Sequence, residues 1–279
     1  MIVQHRRAYP LGATTIEQHR LVSQAARYEP HASWLLDRIG IRPGWRALDI
    51  GCGPIGILDL LSERVGAFGQ VVGLEREPRF AAMAREEIAA RALANTEIIE
   101  VDALDHRLEE GSFDLVHERL VMINVTAREE LVARMMALLR PGGTVILEDV
   151  DNVSWLCEPC HPSWVALRDA FFATYAANGG DVFIGRRLPH YLKAAGAQNI
   201  EVKVHVDAPA AGDYRRKHLL SIVDSIADKV VDMKIFTAAE LQRHREALEA
   251  HLEDPATLVI DKLLVQAWGQ KRTSDQQVR

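Results

Sequence analysis

The sequence lacks the long apolar run, about 20 residues, that a membrane-spanning helix requires. Its first residues, MIVQHRRAYPLG, lack the apolar core of a secretory signal. Cysteine is also scarce: the chain has three, Cys52, Cys157 and Cys160. So few thiols argue against a disulfide framework and are typical of proteins in a reducing compartment. We therefore expect a cytoplasmic protein with no membrane segment.

An excess of basic residues is absent as well. Lys and Arg number 33 against 39 Asp and Glu, which gives a formal net charge of −6. Proteins that bind nucleic acids usually carry a basic face, so no nucleic-acid partner is expected. With 279 residues the chain is long enough for a buried core. This length predicts one large α/β domain, or a core domain with an attached helical part.

Short apolar segments alternate with amphipathic ones over residues 45–149. Strands that alternate with helices are typical of parallel pairing in a doubly wound sheet, which binds its ligand at the carboxyl ends of the strands. The pattern predicts a helix near 55–65, a helix that begins at Pro78 and a helix over 126–139. The predicted strands are WRALDI (45–50), QVVGLE (70–75), TEIIEVD (96–102), FDLVHE (113–118) and TVILED (144–149).

Helices are predicted on both sides of this core. We expect Pro30 to interrupt the first helix, with a second helical stretch that runs to Gly40. Three helix starts carry a Thr followed three residues later by Glu, the signature of a capping box. These pairs are Thr14/Glu17, Thr126/Glu129 and Thr237/Glu240. The remaining predictions are helices at 162–178, 187–195, 212–233 and 238–253, strands at 199–206 and 256–270, and a loose tail after Gln270.

The first predicted strand runs into three glycines, Gly51, Gly53 and Gly56, with the spacing G-x-G-x-x-G. That spacing is typical of a loop that binds a dinucleotide pyrophosphate. Here Asp49 stands two residues before the first glycine. A carboxylate would repel a pyrophosphate by about 4 kcal/mol at 4 Å and an effective dielectric of 20. Pro54 also removes a backbone N–H from the loop, and both features favour a cationic ligand group.

Acidic residues also follow the next two strands. Glu75 ends the second strand, where a carboxylate can accept hydrogen bonds from both hydroxyls of a ribose. Asp102 ends the third strand and is placed to accept from an adenine amine. Each acid has an ordinary alternative, since Asp49 can cap a helix, Glu75 can be a solvated surface residue and Asp102 can form a turn. Together, and in this order, they predict an adenosine that carries positive charge.

Five segments match the successive motifs of one known family in order and spacing: ALDIGCGPIG, VVGLERE, VDAL, FDLVHERLVMIN and LLRPGGTVILED. Through them the chain resembles a class I S-adenosylmethionine-dependent methyltransferase of the small-molecule type (methyltransferase type 11/25-like) over residues 14–206. The resemblance implies a Rossmann-like, doubly wound, seven-stranded sheet with an antiparallel last strand, plus N-terminal and C-terminal helical lid elements. It divides the chain into a helical lid (1–40), a cofactor-binding core (41–206), a helical insertion on the acceptor side or at a dimer contact (207–256), and the final strand with a loose tail (257–279).

The resemblance also implies S-adenosylmethionine as the cofactor. The residues that it implies as cofactor-binding are Asp49, Gly51 and Gly53 at the methionine part, Glu75 at the ribose, Arg76 near the adenine face, Asp102 and Ala103 at the adenine, Glu118 and Arg119 beside the sulfonium, and Gln24 in the lid. The lid segment adds Tyr9 and Arg20 as candidate contacts.

Methyl transfer is an in-line displacement at an activated carbon, so alignment and exclusion of water are the main tasks of such an enzyme. A general base is needed only if the acceptor must lose a proton first. The candidates are His117, His161 and Tyr175, although a histidine at a strand end is equally often a hydrogen-bonded structural residue. The aromatic residues Trp155, Trp164, Phe171, Phe172 and Tyr175 either line an apolar acceptor pocket or form the core of the added helices.

Two further motifs suggest metal or thiol chemistry. The segment CEPCH (157–161) has the spacing of a haem attachment site, but no export signal accompanies it, and a zinc site would need further ligands nearby. Its Pro-Cys pair resembles the nucleophile of cytosine C5 methyltransferases, which requires a depressed thiolate pKa and a nucleic-acid surface. The acids of EDVDN (148–152) match only in part the magnesium ligands of catechol O-methyltransferases. We expect a reduced cysteine pair and no metal.

The sequence therefore predicts an enzyme that moves a methyl group from S-adenosylmethionine to an O, N or C atom of a small, partly apolar metabolite, as a monomer or a homodimer. Three alternatives stay open. The first is an NAD-dependent oxidoreductase, if the glycine loop binds a pyrophosphate. The second is an RNA methyltransferase, and the third is a protein that binds S-adenosylmethionine without methyl transfer.

Overall fold

The computed structural model describes residues 15–273 of the chain. The strands are β1 (Arg46–Ile50), β2 (Gln70–Glu75), β3 (Thr96–Glu100), β4 (Phe113–Arg119), β5 (Leu139–Asp151), β6 (Leu156–Glu158), β7 (Gln198–His205), β8 (Leu258–Ile260) and β9 (Leu263–Gln270). The helices are α1 (Thr15–Ile39), α2 (Leu58–Val65), α3 (Pro78–Ala90), α4 (Arg128–Leu138), α5 (Pro162–Ala177), α6 (Leu188–Ala194), α7 (His218–Asp232) and α8 (Ala238–Glu253). A seven-stranded sheet in the order β3-β2-β1-β4-β5-β9-β7 forms the centre of the fold.

The sheet confirms the predicted Rossmann-like topology. β1 pairs in parallel with β2 and β4, β2 pairs in parallel with β3, and β4 pairs in parallel with β5. The last strand, β9, runs antiparallel to both of its neighbours, β5 and β7. The strands β1 and β2 are buried along nearly their whole length, because helices cover both faces of a doubly wound sheet and favour continuous apolar sequence.

The order of the strands positions a crevice at the end of β1. The strands β2 and β3 lie on one side of β1, and β4 and β5 lie on the other. A crevice opens outside the carboxyl ends of the strands at such a switch point. The glycine loop and the turn after β4 meet there so closely that a Cβ atom on Gly51 would lie 2.5 Å from Cγ2 of Val121.

The sequence predicted that Pro30 interrupts the first helix, and this prediction is wrong. The helix α1 continues to Ile39 with Pro30 inside it. A proline within a helix costs about 3 kcal/mol, because its ring displaces the preceding turn and removes one hydrogen bond. The residues after it, Leu35 and Leu36, are at most 1% exposed and pack into the core with α2. Burial of two leucine side chains contributes about 3–6 kcal/mol, which offsets the cost of the proline.

The predicted capping boxes have three different outcomes. At α8 the box is confirmed, because Thr237 accepts a hydrogen bond from the N–H of Glu240 and Glu240 accepts one from the N–H of Thr237. The prediction of a capping box at Thr126 is wrong. Ala127 occupies the N-cap position of α4, and no side chain caps this helix. Thr14 lies outside the described residues.

The helices α5, α7 and α8 pack on one another around an aromatic interior. Trp155, Trp164, Phe171 and Tyr175 are each at most 4% exposed. Their rings contact one another at centroid distances of 4.7–6.0 Å. These four aromatic residues therefore belong to the core of the added helices, and Phe172 is partly buried and packs against it.

The C-terminal part differs in two boundaries from the prediction. The strand predicted over 256–270 is two strands: β8 pairs with β6 in a separate ribbon, and β9 joins the main sheet. The helix predicted over 212–233 begins at His218, after a short 3-10 turn over Tyr214–Lys217, and α7 then packs beside α1.

Across residues 15–273, no helix is both long enough and apolar enough to cross a membrane.

Candidate active site

A cavity lies in the crevice, where the ends of β1, β2, β3 and β4 meet α1. The predicted residues that line it are Gln24, Asp49, Gly51, Gly53, Glu75, Arg76, Asp102, Ala103, His117 and Arg119. Arg20, another predicted contact, lines a second cavity described below. Tyr9 lies outside the described residues.

The carboxylate of Asp49 belongs to a buried chain of charged groups. Its Oδ1 lies 2.7 Å from Nδ1 of His117, and Nε2 of His117 lies 2.8 Å from Oε1 of Glu148. Burial opposes a charge on the imidazole, but the two carboxylates outweigh it and raise the pKa of His117 to about 9. Two carboxylates around one imidazolium leave a net negative charge beside the cavity.

This arrangement does not suit the role of general base that the sequence suggested for His117. Both ring nitrogens are hydrogen-bonded to carboxylates, so the protonated ring donates at each and has no lone pair to accept a proton. Gln266 donates to the other oxygen of Glu148 at 2.8 Å and anchors the far end of the chain. This series of hydrogen-bonded side chains holds the Asp49 carboxylate at the cavity wall.

Glu75, at the end of β2, holds the glycine loop in place. Its Oε2 accepts a hydrogen bond from the N–H of Gly53 at 2.9 Å, and its Oε1 accepts one from the N–H of Glu77 at 2.8 Å. Burial raises the pKa of Glu75, and these amide donors oppose the rise. Each carboxylate oxygen has a second lone pair, so the side chain can also accept from ligand hydroxyls.

Asp102 forms the turn that the sequence offered as its ordinary role, and it also lines the cavity. Its Oδ1 accepts a hydrogen bond from the N–H of Leu104 at 2.9 Å, which forms the turn after β3. Its Oδ2 lies 3.7 Å from Nη1 of Arg76 in an ion pair at the cavity rim. The turn therefore places the carboxylate and the neighbouring residue Ala103 at the cavity wall.

Close approaches shape the glycine loop. Gly56 has a φ of +54°, and a Cβ atom there would lie 2.5 Å from Oδ2 of Asp49 and 2.7 Å from the carbonyl oxygen of Cys52. Burial, together with the charges of Asp49 and Glu75, raises the pKa of the Cys52 thiol well above its usual range. Burial beside two carboxylates therefore favours the protonated form of this thiol.

Two buried polar atoms of cavity-lining residues have no hydrogen-bond partner among the described residues: Nη1 of Arg119 and Oδ1 of Asn124. The rest of each side chain is anchored, because Arg119 donates from Nη2 to the carbonyl oxygen of Gly56 at 3.1 Å and Asn124 donates from Nδ2 to that of Leu120 at 3.0 Å. Leaving such an atom without a partner costs about 1–3 kcal/mol. Arg119 and Asn124 therefore bring a donor and an acceptor without partners among the described residues to the cavity wall. Sequence reasoning missed Asn124 because no regular spacing marks the turn after β4.

Besides Arg20, three predicted site residues are not among the described residues that line the cavity. Glu118 is fully buried and accepts a hydrogen bond from the N–H of Val121 at 3.1 Å, so it supports the turn after β4. His161 caps α5, where its Nδ1 accepts from the N–H of Ser163 at 3.2 Å. Tyr175 belongs to the aromatic core, and burial raises its pKa above the usual range. Neither His161 nor Tyr175 is placed to take a proton from a ligand in the cavity.

The motifs that suggested metal or thiol chemistry have other partners. Glu148 binds the imidazole described above, and Oδ1 of Asp151 lies 2.6 Å from Nη2 of Arg186. In the described part of the chain, no cluster of three or more His, Cys, Asp or Glu residues is arranged to hold a metal ion. Cys157 and Cys160 are free thiols, and burial raises the pKa of Cys157.

A family model and several known proteins match the chain. A family model described as a methyltransferase domain matches residues 41–181, just over half of the 279 residues. Nocamycin O-methyltransferase of Saccharothrix syringae is 37% identical over 119 residues, 42% of this chain and 42% of that protein. Demethylmenaquinone methyltransferase of Bacillus cereus is 26% identical over 133 residues, 47% of this chain and 56% of that protein. The chain thus spans about half the length of these curated relatives.

A solved structure shares the fold. Phosphoethanolamine N-methyltransferase 2 of Haemonchus contortus, in complex with phosphomonomethylethanolamine and S-adenosylhomocysteine, aligns with a TM-score of 0.55 and 19% identity, over 88% of this chain and 53% of that chain. The segment that the family model matches begins before β1 and ends after α5, and it contains all the strand-end residues of the cavity. The chain therefore belongs to the methyltransferase-domain family and has its class I, Rossmann-like fold.

Proposed function

We propose that the protein binds S-adenosylmethionine in this cavity and transfers its methyl group to a small-molecule acceptor. The observation that carries the proposal is that Asp49, Glu75 and Asp102, from the ends of three neighbouring strands, line one cavity. The described lining holds four carboxylates, those of Asp49, Glu75, Glu77 and Asp102, against three cationic groups, those of Arg76, Arg119 and His117, so its net charge is negative. Such a wall attracts a nucleoside that carries a cation and repels a diphosphate.

The described residues match the chemistry of the cofactor along its length. Nη1 of Arg119 is a donor and Oδ1 of Asn124 an acceptor, and neither has a partner among the described residues; the first matches the carboxylate of the methionine part and the second its ammonium group. The negative chain that ends at Asp49 matches the sulfonium. Glu75 matches the ribose hydroxyls, and Asp102 matches the adenine amine.

When bound, S-adenosylmethionine supplies a methyl group that is already activated for displacement. The protein then has to hold the acceptor atom in line behind the methyl carbon and to exclude water. Leu21 and Ala25 of α1 and Val121 of the turn after β4 contribute apolar surface to the cavity wall. Because both nitrogens of His117 are occupied, we expect solvent to take any proton that the acceptor loses.

A single substitution distinguishes a cation site from a phosphate site. Asp49→Asn keeps the size of the side chain and removes its charge. We expect the affinity for S-adenosylmethionine, a sulfonium, to fall at least tenfold, about 1.4 kcal/mol, and the affinity for S-adenosylhomocysteine, a neutral thioether, to fall less. Calorimetric titration of both ligands and of NAD provides the measurement. The matched control is Asp59→Asn on α2, where Asp59 forms an ion pair with Arg91.

Each alternative function gives a different result. Equal losses for both ligands in Asp49→Asn would show that this charge does not recognise the sulfonium. Binding of NAD without binding of S-adenosylmethionine would replace the proposal with an NAD-dependent oxidoreductase. Release of S-adenosylhomocysteine in the presence of small molecules supports the proposed enzyme, and release in the presence of RNA supports an RNA methyltransferase. No release with either would indicate a protein that only binds the cofactor. The homodimer and the cytoplasmic location stay predictions.

A further inference from the structure

A second cavity lies between α1 and the beginning of α7. Gln24 of α1 lines both cavities, so the second adjoins the site proposed for the methyl donor. It contains about 230 Å³ of space. A cavity needs only about 10–15 Å³ on this scale to hold a water molecule, so a compact ligand group fits here.

The wall of the second cavity is rich in guanidinium groups. Arg20, Arg27 and Arg215 line it. An acidic neighbour braces each of them and orients it before a ligand arrives: Glu17 for Arg20, Asp261 for Arg27 and Asp213 for Arg215. The Arg27 side chain is 5% exposed, and its buried Nε has no hydrogen-bond partner among the described residues.

A buried lysine stands behind this wall. Lys262 is 7% exposed, and no carboxylate of the described residues lies within 4.0 Å of its ammonium group. Its Nζ lies 2.8 Å from Nε2 of His218, which lines the cavity. Burial, with Arg27 and Arg20 nearby, lowers the pKa of Lys262 well below its usual range.

We propose that the second cavity binds an anionic oxygen group, a carboxylate or a phosphate, of the methyl acceptor. The assignment of this anion to the acceptor rests on the proposed function, whereas anion binding itself does not. Oε1 of Gln24 accepts a hydrogen bond from Nη1 of Arg20 at 2.6 Å, so an anion held by the arginines lies next to the donor cavity. Asp224 is the single carboxylate among the described lining residues, and Arg245 donates to it at 2.8 Å. The helical insertion then lies on the acceptor side, one of the two places that the sequence suggested for it.

Small anions test the proposal directly. Inorganic phosphate and benzoate are titrated into the cofactor-free protein by calorimetry at constant ionic strength. Ser23→Asp places a negative charge on an exposed position of the cavity wall and should weaken binding at least tenfold. Ala26→Asp adds the same charge to an exposed position of α1 that lines neither cavity, and it should leave binding nearly unchanged. Arg215→Gln removes a cation that is 32% exposed and should also weaken binding.

The outcomes separate the two proposals. Tighter binding of phosphate assigns a phosphate group to the acceptor, and tighter binding of benzoate assigns a carboxylate. Either result supports the proposal if Ser23→Asp weakens anion binding and Ala26→Asp does not. Failure of the wild-type protein to bind either anion, or equal binding by Ser23→Asp, overturns it. S-Adenosylmethionine is titrated into the same proteins, and Ser23→Asp should retain the wild-type affinity for it. If the wild-type protein binds anions but not S-adenosylmethionine, the proposed function fails and the anion site stands.

Discussion

Gly56 provides the space that the carboxylate of Asp49 occupies, since a Cβ atom on Gly56 would lie 2.5 Å from Oδ2 of Asp49. The carboxylate cannot turn away easily, because its other oxygen forms a buried ion pair with His117 at 2.7 Å. Gly53 in the same loop has nearly the same φ, +56° against +54° for Gly56, but no atom lies within 4 Å of the position that its Cβ would take. The two glycines therefore separate the effect of backbone strain from the effect of crowding.

We expect Gly56→Ala to destabilise the protein more than Gly53→Ala. Both substitutions place an L-residue in the left-handed region, at about 1–2 kcal/mol. Only Gly56→Ala also crowds a carboxylate and the carbonyl oxygen of Cys52, which adds about 1–3 kcal/mol. Urea unfolding of the ligand-free variants measures the difference. Equal losses of unfolding free energy would show that the loop relaxes around the added methyl group.

Arg119→Met should reduce recognition of the amino-acid end of the cofactor. A hydrogen bond to a charged group contributes about 1.5–3 kcal/mol, so affinity for S-adenosylmethionine should fall about tenfold to a hundredfold. Affinity for decarboxylated S-adenosylmethionine should fall much less, because that ligand has no carboxylate for Nη1 of Arg119. Calorimetry with both ligands tests this. The control is Arg134→Met on the surface of α4, where Arg134 pairs with Glu130. The prediction is wrong if Arg119→Met reduces the affinity for both ligands by the same factor.

The buried imidazolium of His117 should make stability depend on pH. Folding raises the pKa of His117 from 6.5 to about 9, so the folded state holds the proton more tightly. The resulting stabilisation is complete below pH 6.5 and is lost as the pH rises through 9, and the difference between the two pKa values corresponds to about 3 kcal/mol. The difference in unfolding free energy between the wild-type protein and His117→Gln should therefore shrink over this pH range. Urea unfolding at several pH values measures it, and a constant difference would contradict a charged imidazole.

The strand-end acids were predictable because position along the chain determines their place in this fold. Asp49 and Glu75 lie within the last two residues of β1 and β2, Asp102 lies two residues after β3, and parallel strands end at one edge of the sheet. The same logic failed for Glu118. Side chains alternate along a strand, so His117 lines the cavity and Glu118 lies on the opposite face of β4. Because β4 is buried on both faces, its sequence does not show which face meets the cavity.

Features that depend on contacts distant in sequence were not predictable. The helix α1 passes Pro30 because Leu35 and Leu36 pack into the core that α2 also joins, and this core forms only in the folded chain. The second cavity likewise combines Arg20 from α1 with Arg215 from the segment before α7. The lid segment suggested Arg20 as a cofactor contact, but no motif includes Arg215, and the sequence shows no spacing that would bring the two together.

Thr237 and Thr126 offer a test of how much a sequence pattern alone predicts. Both precede a Glu by three residues, but only Thr237 caps a helix, where Glu240 completes the reciprocal hydrogen bonds. Thr237→Ala should therefore lower the unfolding free energy by about 1 kcal/mol. Thr126→Ala removes no cap and should change it by less than about 0.5 kcal/mol. Urea unfolding of both variants measures the two losses, and a loss at Thr126 as large as that at Thr237 would mean that the Thr126 box forms in solution.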